Sequence, residues 1–248
     1  MANWLRELDD LLRGRKADPA RLAEGTDHLR LGPHAAMAVV LGAVYGLSMG
    51  LYAVVSRTPP VPAQLAASAV KVPALFFLTL AVSFPSLYVF SALVGSRLGP
   101  AAVLRVVVSA ITVNLAVLAS FAPITAFFTL TTTSYPFMKL LSVFFLAASG
   151  AVGLAFLLNL LRHIEAATPA AAAQPGGEAA GTEPGDDGPV ARNLFKVWLV
   201  VYALVGVQMG WLLRPFIGSP ELPFAWFRQR GGNVFLDLMG TVGELLGT

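Results

Sequence analysis

The chain has 248 residues, of which 56% are hydrophobic and only 12% are charged. Soluble domains carry about a quarter charged residues, so this composition is typical of a membrane protein. The net charge of +3 is too small to indicate nucleic-acid binding, and the absence of cysteine excludes disulfides and thiolate metal sites.

The first 34 residues predict a charged cytoplasmic region that contains an amphipathic helix. Its apolar positions recur at helical spacing: Trp4, Leu5, Leu8, Leu11 and Leu12. Such a helix is expected to lie on the bilayer or to bind a partner helix. The region lacks the apolar core of a cleavable signal peptide, so the first apolar segment is expected to direct insertion.

The first two apolar segments are each long enough to cross a bilayer, which requires about 20 mostly apolar residues. The first covers 35–55 and contains no charge. The second covers 72–94, with Pro73 expected in its first turn and Pro85 in its middle. Because proline removes a backbone donor, Pro85 is expected to kink this helix.

The third and fourth predicted spans cover 103–128 and 140–161. The 33 uncharged residues between Arg105 and Lys139 are too many for one straight span. We expect an apolar or interfacial loop beginning near Thr129, with a re-entrant segment over 129–138 as the alternative. Residues 35–162 thus form a predicted four-helix transmembrane block.

The segment 163–193 is predicted to be a disordered cytoplasmic linker. Its central part, 168–189, is of low complexity and contains almost no large apolar residues. Such a stretch cannot bury enough surface to offset the entropy of ordering it. A fifth transmembrane helix is predicted over 194–214, with Lys196 near its start, where the side chain can snorkel to the interface.

The remaining segment, 215–248, is predicted to be an exoplasmic cap rich in aromatics and prolines, followed by an amphipathic helix. The residues assigned to the cap and its junction with the fifth span are Trp211, Arg214, Pro215, Phe216, Gly218 and Pro220. These residue types are typical of a helix stop with an interfacial aromatic belt. The alternative is a rigid cap that contacts a partner or closes a pore.

The distribution of Lys and Arg predicts the orientation of the bundle, because cytoplasmic loops carry an excess of these residues. Eleven of them fall on the side of the N-terminus and six on the other side. We therefore expect the N-terminus in the cytoplasm, the C-terminus outside and the chain in a bacterial inner membrane.

Small residues at four-residue spacing favour close helix packing in lipid. They occur in the first, fourth and fifth spans: Gly42, Gly46, Gly50, Ala147, Ala151, Ala155, Gly206 and Gly210. Packing within one protomer is the main expectation, and homo-oligomerisation is the alternative.

The predicted span interiors contain no ionisable side chain, which would otherwise be a default functional hypothesis. Asn114 and Gln208 are the most deeply placed amides. They are expected to hydrogen-bond between helices or, alternatively, to line a polar path. The dispersed histidines and the absence of catalytic motifs predict no metal, no cofactor and no enzymatic activity.

Three segments look similar to a group of uncharacterised bacterial multi-pass proteins: SAVKVPALFFLTLAVSFPSLYVFSALVGSRLG (68–99), ASFAPITAFF (119–128) and LRPFIGSP (213–220). The layout of five spans with a charged cytoplasmic N-terminus also resembles the Yip family, whose eukaryotic members are linked to vesicle trafficking. The acidic, aromatic N-terminal motif of that family is missing from residues 1–34. Neither resemblance implies a residue with a catalytic role.

The sequence therefore predicts an all-α polytopic bundle of about five spans with amphipathic terminal helices. The expected function is that of a non-enzymatic scaffold, anchor or assembly subunit whose partners are the lipid bilayer and another membrane protein or a second copy. The alternative is a small channel or permease for a neutral solute or ion, with Asn114, Gln208 and the segment 129–134 lining the path.

Overall fold

The computed structural model describes residues 2–15, 29–56, 58–93, 99–172, 187–218, 222–228 and 234–246. Every regular element in these ranges is a helix. In chain order they are α1 (Ala2–Leu12), α2 (Leu31–Val55), α3 (Ala63–Leu93), α4 (Pro100–Ser120), α5 (Ala122–Thr131), α6 (Tyr135–Ala172), α7 (Asp187–Leu213) and α8 (Val234–Leu246).

Four helical segments in the described ranges are long and apolar enough to cross a membrane. They are Leu31–Val55, Ala63–Val89, Pro100–Thr131 and Tyr135–Leu160. The prediction of a helical, multi-pass membrane protein is confirmed to this extent. The apolar part of α7, Val197–Leu213, is shorter.

Helix α2 packs closely against α3 through three of its glycines. Gly42 lies against Pro73, Gly46 against Ser68 and Ala69, and Gly50 against Gln64 and Leu65. The order of these contacts shows that the two helices are antiparallel. A methyl group on Gly46 would lie only 2.3 Å from the carbonyl oxygen of Ser68, so the backbones touch because this position has no side chain.

Helix α3 begins nine residues before the predicted span, at Ala63. Pro73 therefore lies in the helix interior, together with Pro85, and not in the first turn. The prediction that the span interiors contain no ionisable side chain stays a prediction. Four such residues lie within the apolar helical segments, each in the outer turns near a helix end: His34, Lys71, Arg105 and Lys139.

The long uncharged stretch after Arg105 is accommodated by two consecutive helices. Helix α4 ends at Ser120, Phe121 forms a turn and α5 begins at Ala122. Pro123 explains this interruption, because it has no N–H to donate to the carbonyl of Ala119. Since α5 continues to Thr131, the predicted loop is reduced to residues 132–134.

Helices α6 and α7 both extend into the segment predicted to be a linker. Helix α6 continues to Ala172 and α7 begins at Asp187. Residues 173–186, the middle of that segment, lie outside the described residues.

Contacts between helix ends define two ends of the bundle. At the first end, His34 at the start of α2 contacts Ser109 of α4 and Glu7 of α1. At the second end, Lys71 near the start of α3 contacts Pro215, just beyond α7. Helix α8 is held at this second end by an ion pair between Asp237 and Lys139 near the start of α6. Helices α1 and α8 therefore lie at opposite ends of the bundle.

Apolar side chains of α2, α3 and α4 form the centre of the bundle. Tyr45, Tyr52, Leu87, Leu115 and Leu118 are completely buried there. Around this centre, the ring of Phe121 stacks on that of Phe145 from α6, with 4.5 Å between the ring centroids. The turn between α4 and α5 is thereby fixed against α6.

The glycine contact between α2 and α3 gives a testable prediction. We expect Gly46→Ala to destabilise the folded protein by about 1–3 kcal/mol, because the added methyl group overpacks the contact with the α3 backbone. The control is Gly150→Ala in α6, where an added methyl group meets no atom within 4 Å. The melting midpoint in a mild detergent should fall for the first variant only. Equal midpoints for both variants would contradict the close backbone contact.

Candidate functional site

Three polar side chains on one face of α3 bind the chain segment that follows α7. Gln64, Ser68 and Lys71 occupy positions separated by four and three residues, which brings them to the same face of a helix. All three are nearly inaccessible to solvent. We call the segment that they hold, residues 214–218 and 222–228, the C-terminal cap.

Gln64 and Ser68 bind the beginning of the cap. The side-chain amide of Gln64 donates to the carbonyl oxygens of Phe216 and Pro215, at 2.9 and 3.2 Å. The hydroxyl of Ser68 also donates to the carbonyl of Phe216. These carbonyls lie beyond the last turn of α7 and have no helical amide as a partner, so the polar side chains of α3 satisfy them.

Lys71 joins the two parts of the cap. Its ammonium group donates to the carbonyl of Pro215 at 3.0 Å and to the carbonyl of Trp226. It also lies 5.4 Å from the centre of the Phe227 ring, within the range of a cation–π interaction. With only 2% of its surface accessible, Lys71 is a buried cation held by carbonyl oxygens and an aromatic face.

The residues predicted to form the cap are brought together by the structure, except Pro220, which lies outside the described residues. The guanidinium carbon of Arg214 lies 3.4 Å from the centre of the Trp211 ring. Pro215 and Gly218 are buried, and Phe216 is half-buried. Gly218 has φ +81°, and a Cβ atom there would crowd Ala53 and Gln64, so two constraints favour glycine at this position.

Sequence reasoning did not find the α3 residues that bind the cap. The span boundary was set by continuous hydropathy, which placed Gln64, Ser68 and Lys71 in the preceding loop. Their helical spacing in AQLAASAVK, residues 63–71, was the available signal.

A second polar cluster lies at the first end of the bundle, around His34. The Nδ1 atom of His34 lies 2.9 Å from the Ser109 hydroxyl, which donates to the carbonyl of Arg105. Because a serine hydroxyl has one hydrogen, Ser109 must accept from His34, which places a proton on Nδ1. The Nε2 atom lies 3.7 Å from a carboxylate oxygen of Glu7. This network attaches α1 to the start of α2, a contact that the sequence analysis did not anticipate.

Several buried polar atoms in the described ranges have no hydrogen-bond partner of good geometry: the hydroxyls of Tyr45, Thr129 and Tyr202, and the side-chain oxygen of Asn114. The Tyr45 hydroxyl lies beside the hydroxyls of Thr125 and Ser142. These two donate to the carbonyls of Phe121 and Met138 in their own helices. Helices α2, α5 and α6 thus enclose a small group of hydroxyls within the bundle.

The two amides singled out in the sequence are not brought together. Asn114 of α4 faces α6, where it lies against Gly153. Gln208 is exposed on the outer side of α7 and makes no hydrogen bond with the described residues. Within the described residues, these two side chains therefore have different surroundings.

The small-residue motifs also have different surroundings. Gly42, Gly46 and Gly50 contact α3, and Gly206 and Gly210 face Thr79 and Leu75 of the same helix. The alanine motif of α6 is instead exposed on the outside of the bundle: Ala147, Ala151 and Ala155.

Within the described ranges, no three His, Asp or Glu side chains converge as a metal site would require. Comparison of the chain with protein-family models, with curated proteins and with solved structures finds no match.

Replacing Lys71 tests its role in holding the cap. We expect Lys71→Met to destabilise the protein by about 2 kcal/mol or more, because it leaves two buried carbonyls without their charged donor. Trypsin should then cut more rapidly after Arg228. The measurements are the melting midpoint in mild detergent and the rate of limited proteolysis.

The matched control is Lys139→Met, which removes a lysine at the same end of the bundle. The ion pair of Lys139 with Asp237 is partly exposed, and such pairs contribute about 0–1 kcal/mol. If Lys71→Met had no larger effect than this control, the proposed anchoring by Lys71 would be wrong.

Proposed function

We propose that this chain is an integral membrane protein that crosses the bilayer five times and serves as an assembly subunit for other membrane helices. The fifth crossing is assigned to α7. Its apolar part, 197–213, spans about 26 Å as a helix, close to the thickness of the hydrocarbon core of about 30 Å. Lys196 and Arg214 flank this part, where long basic side chains can reach the headgroups.

The path of α7 along α3 supports this fifth crossing. The indole nitrogen of Trp198 donates to the carbonyl of Ser83 at 3.2 Å. Further along, Gly206 lies beside Thr79 and Gly210 beside Leu75. As the chain of α7 advances, these contacts move back along α3 from Ser83 to Leu75, so the two helices are antiparallel over this part of α3. A helix that accompanies a membrane span in this way is expected to cross the same hydrocarbon layer.

The orientation proposed from the positive-inside rule places α1 in the cytoplasm and α8 on the opposite side. Its support is the excess of Lys and Arg on the predicted cytoplasmic side, eleven against six. Five crossings require the chain ends to lie on different sides, and α1 and α8 do lie at opposite ends of the bundle.

The observation that carries the assembly function is the exposure of Gln208. This amide lies on the outer face of α7 among exposed Val200, Leu204 and Val207. An amide in hydrocarbon without a hydrogen-bond partner is costly, and glutamine is one of the residues that hydrogen-bond across membrane helices. We infer that Gln208 binds a helix of another subunit, either a second copy or a different membrane protein.

The exposed alanine motif of α6 supports the same function independently. Ala147, Ala151 and Ala155 allow a neighbouring backbone to approach closely, and no helix of this chain covers them within the described residues. With α7 on a different face of the bundle, the chain offers two outward surfaces for helix packing.

A small channel or permease remains the second candidate, and the enclosed hydroxyl group favours it. The side-chain hydroxyls of Tyr45 and Thr129 are buried and have no hydrogen-bond partner of good geometry in the described residues, which indicates a polar region inside the bundle. Liposome flux that is lost in Tyr45→Phe and Thr129→Val would favour transport over assembly.

The predicted topology can be tested with single cysteines, because the natural chain has none. Leu5→Cys and Met239→Cys place thiols at positions that are 58% and 73% exposed. A membrane-impermeant maleimide should label Met239→Cys in intact spheroplasts and Leu5→Cys only after permeabilisation. Labelling of both from one side would contradict five crossings, whatever the role of the chain.

The assembly function can be tested at Gln208. We expect Gln208→Leu to remove the companion subunit, or to convert an oligomer to a monomer, because the interhelical hydrogen bond is lost. The melting midpoint of the isolated chain should not fall, since Gln208 makes no hydrogen bond with the described residues. The measurements are affinity purification and mass determination in mild detergent.

The control for this experiment is Gln208→Asn, which keeps an amide on the same face of α7 and is expected to retain more of the complex. A wild-type chain that is a lone monomer in several mild detergents would contradict the assembly function. So would a Gln208→Leu variant with unchanged companions.

A further inference from the structure

The contact between α1 and the start of α2 places two acceptor atoms opposite each other. The Ser109 hydroxyl donates its one hydrogen to the carbonyl of Arg105 at 2.8 Å, so the proton of the neutral His34 ring lies on Nδ1. Because a neutral imidazole carries one N–H, the Nε2 atom then presents a lone pair. This atom lies 3.7 Å from a carboxylate oxygen of Glu7, which is also an acceptor.

One additional proton turns this contact into a strong one. An imidazolium donates from both ring nitrogens, so Nε2 can donate to Glu7 while Nδ1 keeps its bond to Ser109. A hydrogen bond of this kind is charge-assisted, and it is shorter and stronger than a neutral one. The strength of the contact between α1 and α2 therefore depends on whether a proton lies between these two side chains.

The surroundings of the pair leave Glu7 as the partner that can move. The side chain of His34 is completely buried, and its carbonyl oxygen accepts a hydrogen bond at 3.0 Å from the Thr112 hydroxyl of α4. The side chain of Glu7 is 20% exposed, so its carboxylate connects the buried ring to water. When the contact weakens, Glu7 can become solvated, and α1 moves with it.

Other charged groups on the helices around His34 do not compete for this proton. Arg30 lies one turn before His34, and Arg105 lies one turn before the serine that His34 contacts; arginine keeps its charge throughout the physiological range. Helix α3 packs along α2 and carries Lys71 at the second end of the bundle and Tyr88 at an exposed position. Two further acids of α1 each pair with an arginine of the same segment: Asp9 with Arg13, and Asp10 with Arg15.

We propose that a proton shared by His34 and Glu7 controls the attachment of α1 to the bundle. The attachment is strong at low pH, where the pair holds the proton, and it weakens as the pH rises through the range in which histidine changes its charge, roughly pH 5 to 8. Detachment exposes Leu11, which is completely buried in the attached helix, beside Leu5 and Leu12, which are already exposed. The detached helix then has an apolar stripe that suits the membrane surface. This device does not rest on the proposed assembly function, which uses α6 and α7.

The test measures the position of α1 in the full chain. Spin labels on Leu5→Cys and Met239→Cys lie at exposed positions at the two ends of the bundle, and double electron–electron resonance in mild detergent gives the distance between them. An attached α1 gives a narrow distance distribution, and a detached α1 gives a broad one. The two pH values are about 5.5 and about 7.5, within the range in which histidine titrates. We expect the ratio of the narrow to the broad population to fall about tenfold at the higher pH, because one charge-assisted hydrogen bond corresponds to about a decade in an equilibrium constant.

The variant Glu7→Gln separates the contact from the proton. The amide of glutamine donates to Nε2 of the neutral ring, so we expect the narrow distribution at both pH values. The matched control is Asp10→Asn, which removes a carboxylate of the same helix that pairs with Arg15 instead of His34. This control should keep the pH dependence of the otherwise unchanged chain.

Three results would overturn the proposal. The first is a distance distribution that is the same at both pH values in the labelled chain without further change. The second is a Glu7→Gln variant that keeps the full pH dependence. The third is an Asp10→Asn variant that loses the pH dependence to the same extent as Glu7→Gln, since the effect would then belong to the charge of α1 as a whole.

Discussion

The contact between the backbones of α2 and α3 is the constraint on which the rest of the bundle depends. Helices in hydrocarbon gain little from burying apolar side chains against each other, so their association depends on close packing and on hydrogen bonds. Gly42, Gly46 and Gly50 provide the close packing along one face of α2. Helix α3, fixed in this way, presents its other surfaces to α7 and to the C-terminal cap.

Hydrogen bonds from α3 hold the end of α7, in addition to the close packing at the glycines. A chain that leaves a helix near the membrane surface exposes carbonyl groups that no helical amide can satisfy. Gln64, Ser68 and Lys71 supply the missing donors, and they lie on the same helix that the glycine contact positions. The end of α7 is thus held by α3 through polar bonds, while its middle packs on α3 through Gly206 and Gly210. Helix α3 therefore fixes the positions of both α2 and α7, through close packing at glycines and through hydrogen bonds.

The helical membrane class could be predicted from the sequence because continuous hydropathy is a local property. The limits of the helices could not, since they depend on partners distant in the chain. Lys71 was placed before its span because a charge ends an apolar run, whereas in the fold the carbonyl of Pro215, 144 residues away in the sequence, accepts a hydrogen bond from it. The break between α4 and α5 was likewise missed, although Pro123 was visible, because a proline in an apolar segment is equally consistent with a kink or with a loop.

The same reasoning explains why the two predicted amides were difficult to assign. Residue type and expected depth in the membrane are the same for Asn114 and Gln208. In the fold, however, Asn114 lies against Gly153, whereas Gln208 is exposed on the outside of α7. Only the direction in which each helix face points separates an internal polar residue from a contact surface. The direction of a helix face depends in turn on which face carries the small residues that pack against a neighbouring helix. In α7, the glycines pack against α3.

The cations at the second end of the bundle show a further consequence of the proposed orientation. Basic residues on the translocated side oppose the positive-inside bias. Lys139 is held by Asp237, Arg214 lies over the ring of Trp211, and Lys71 is held by carbonyl oxygens. In each of these cases, a group of this chain lies against the charge and compensates it.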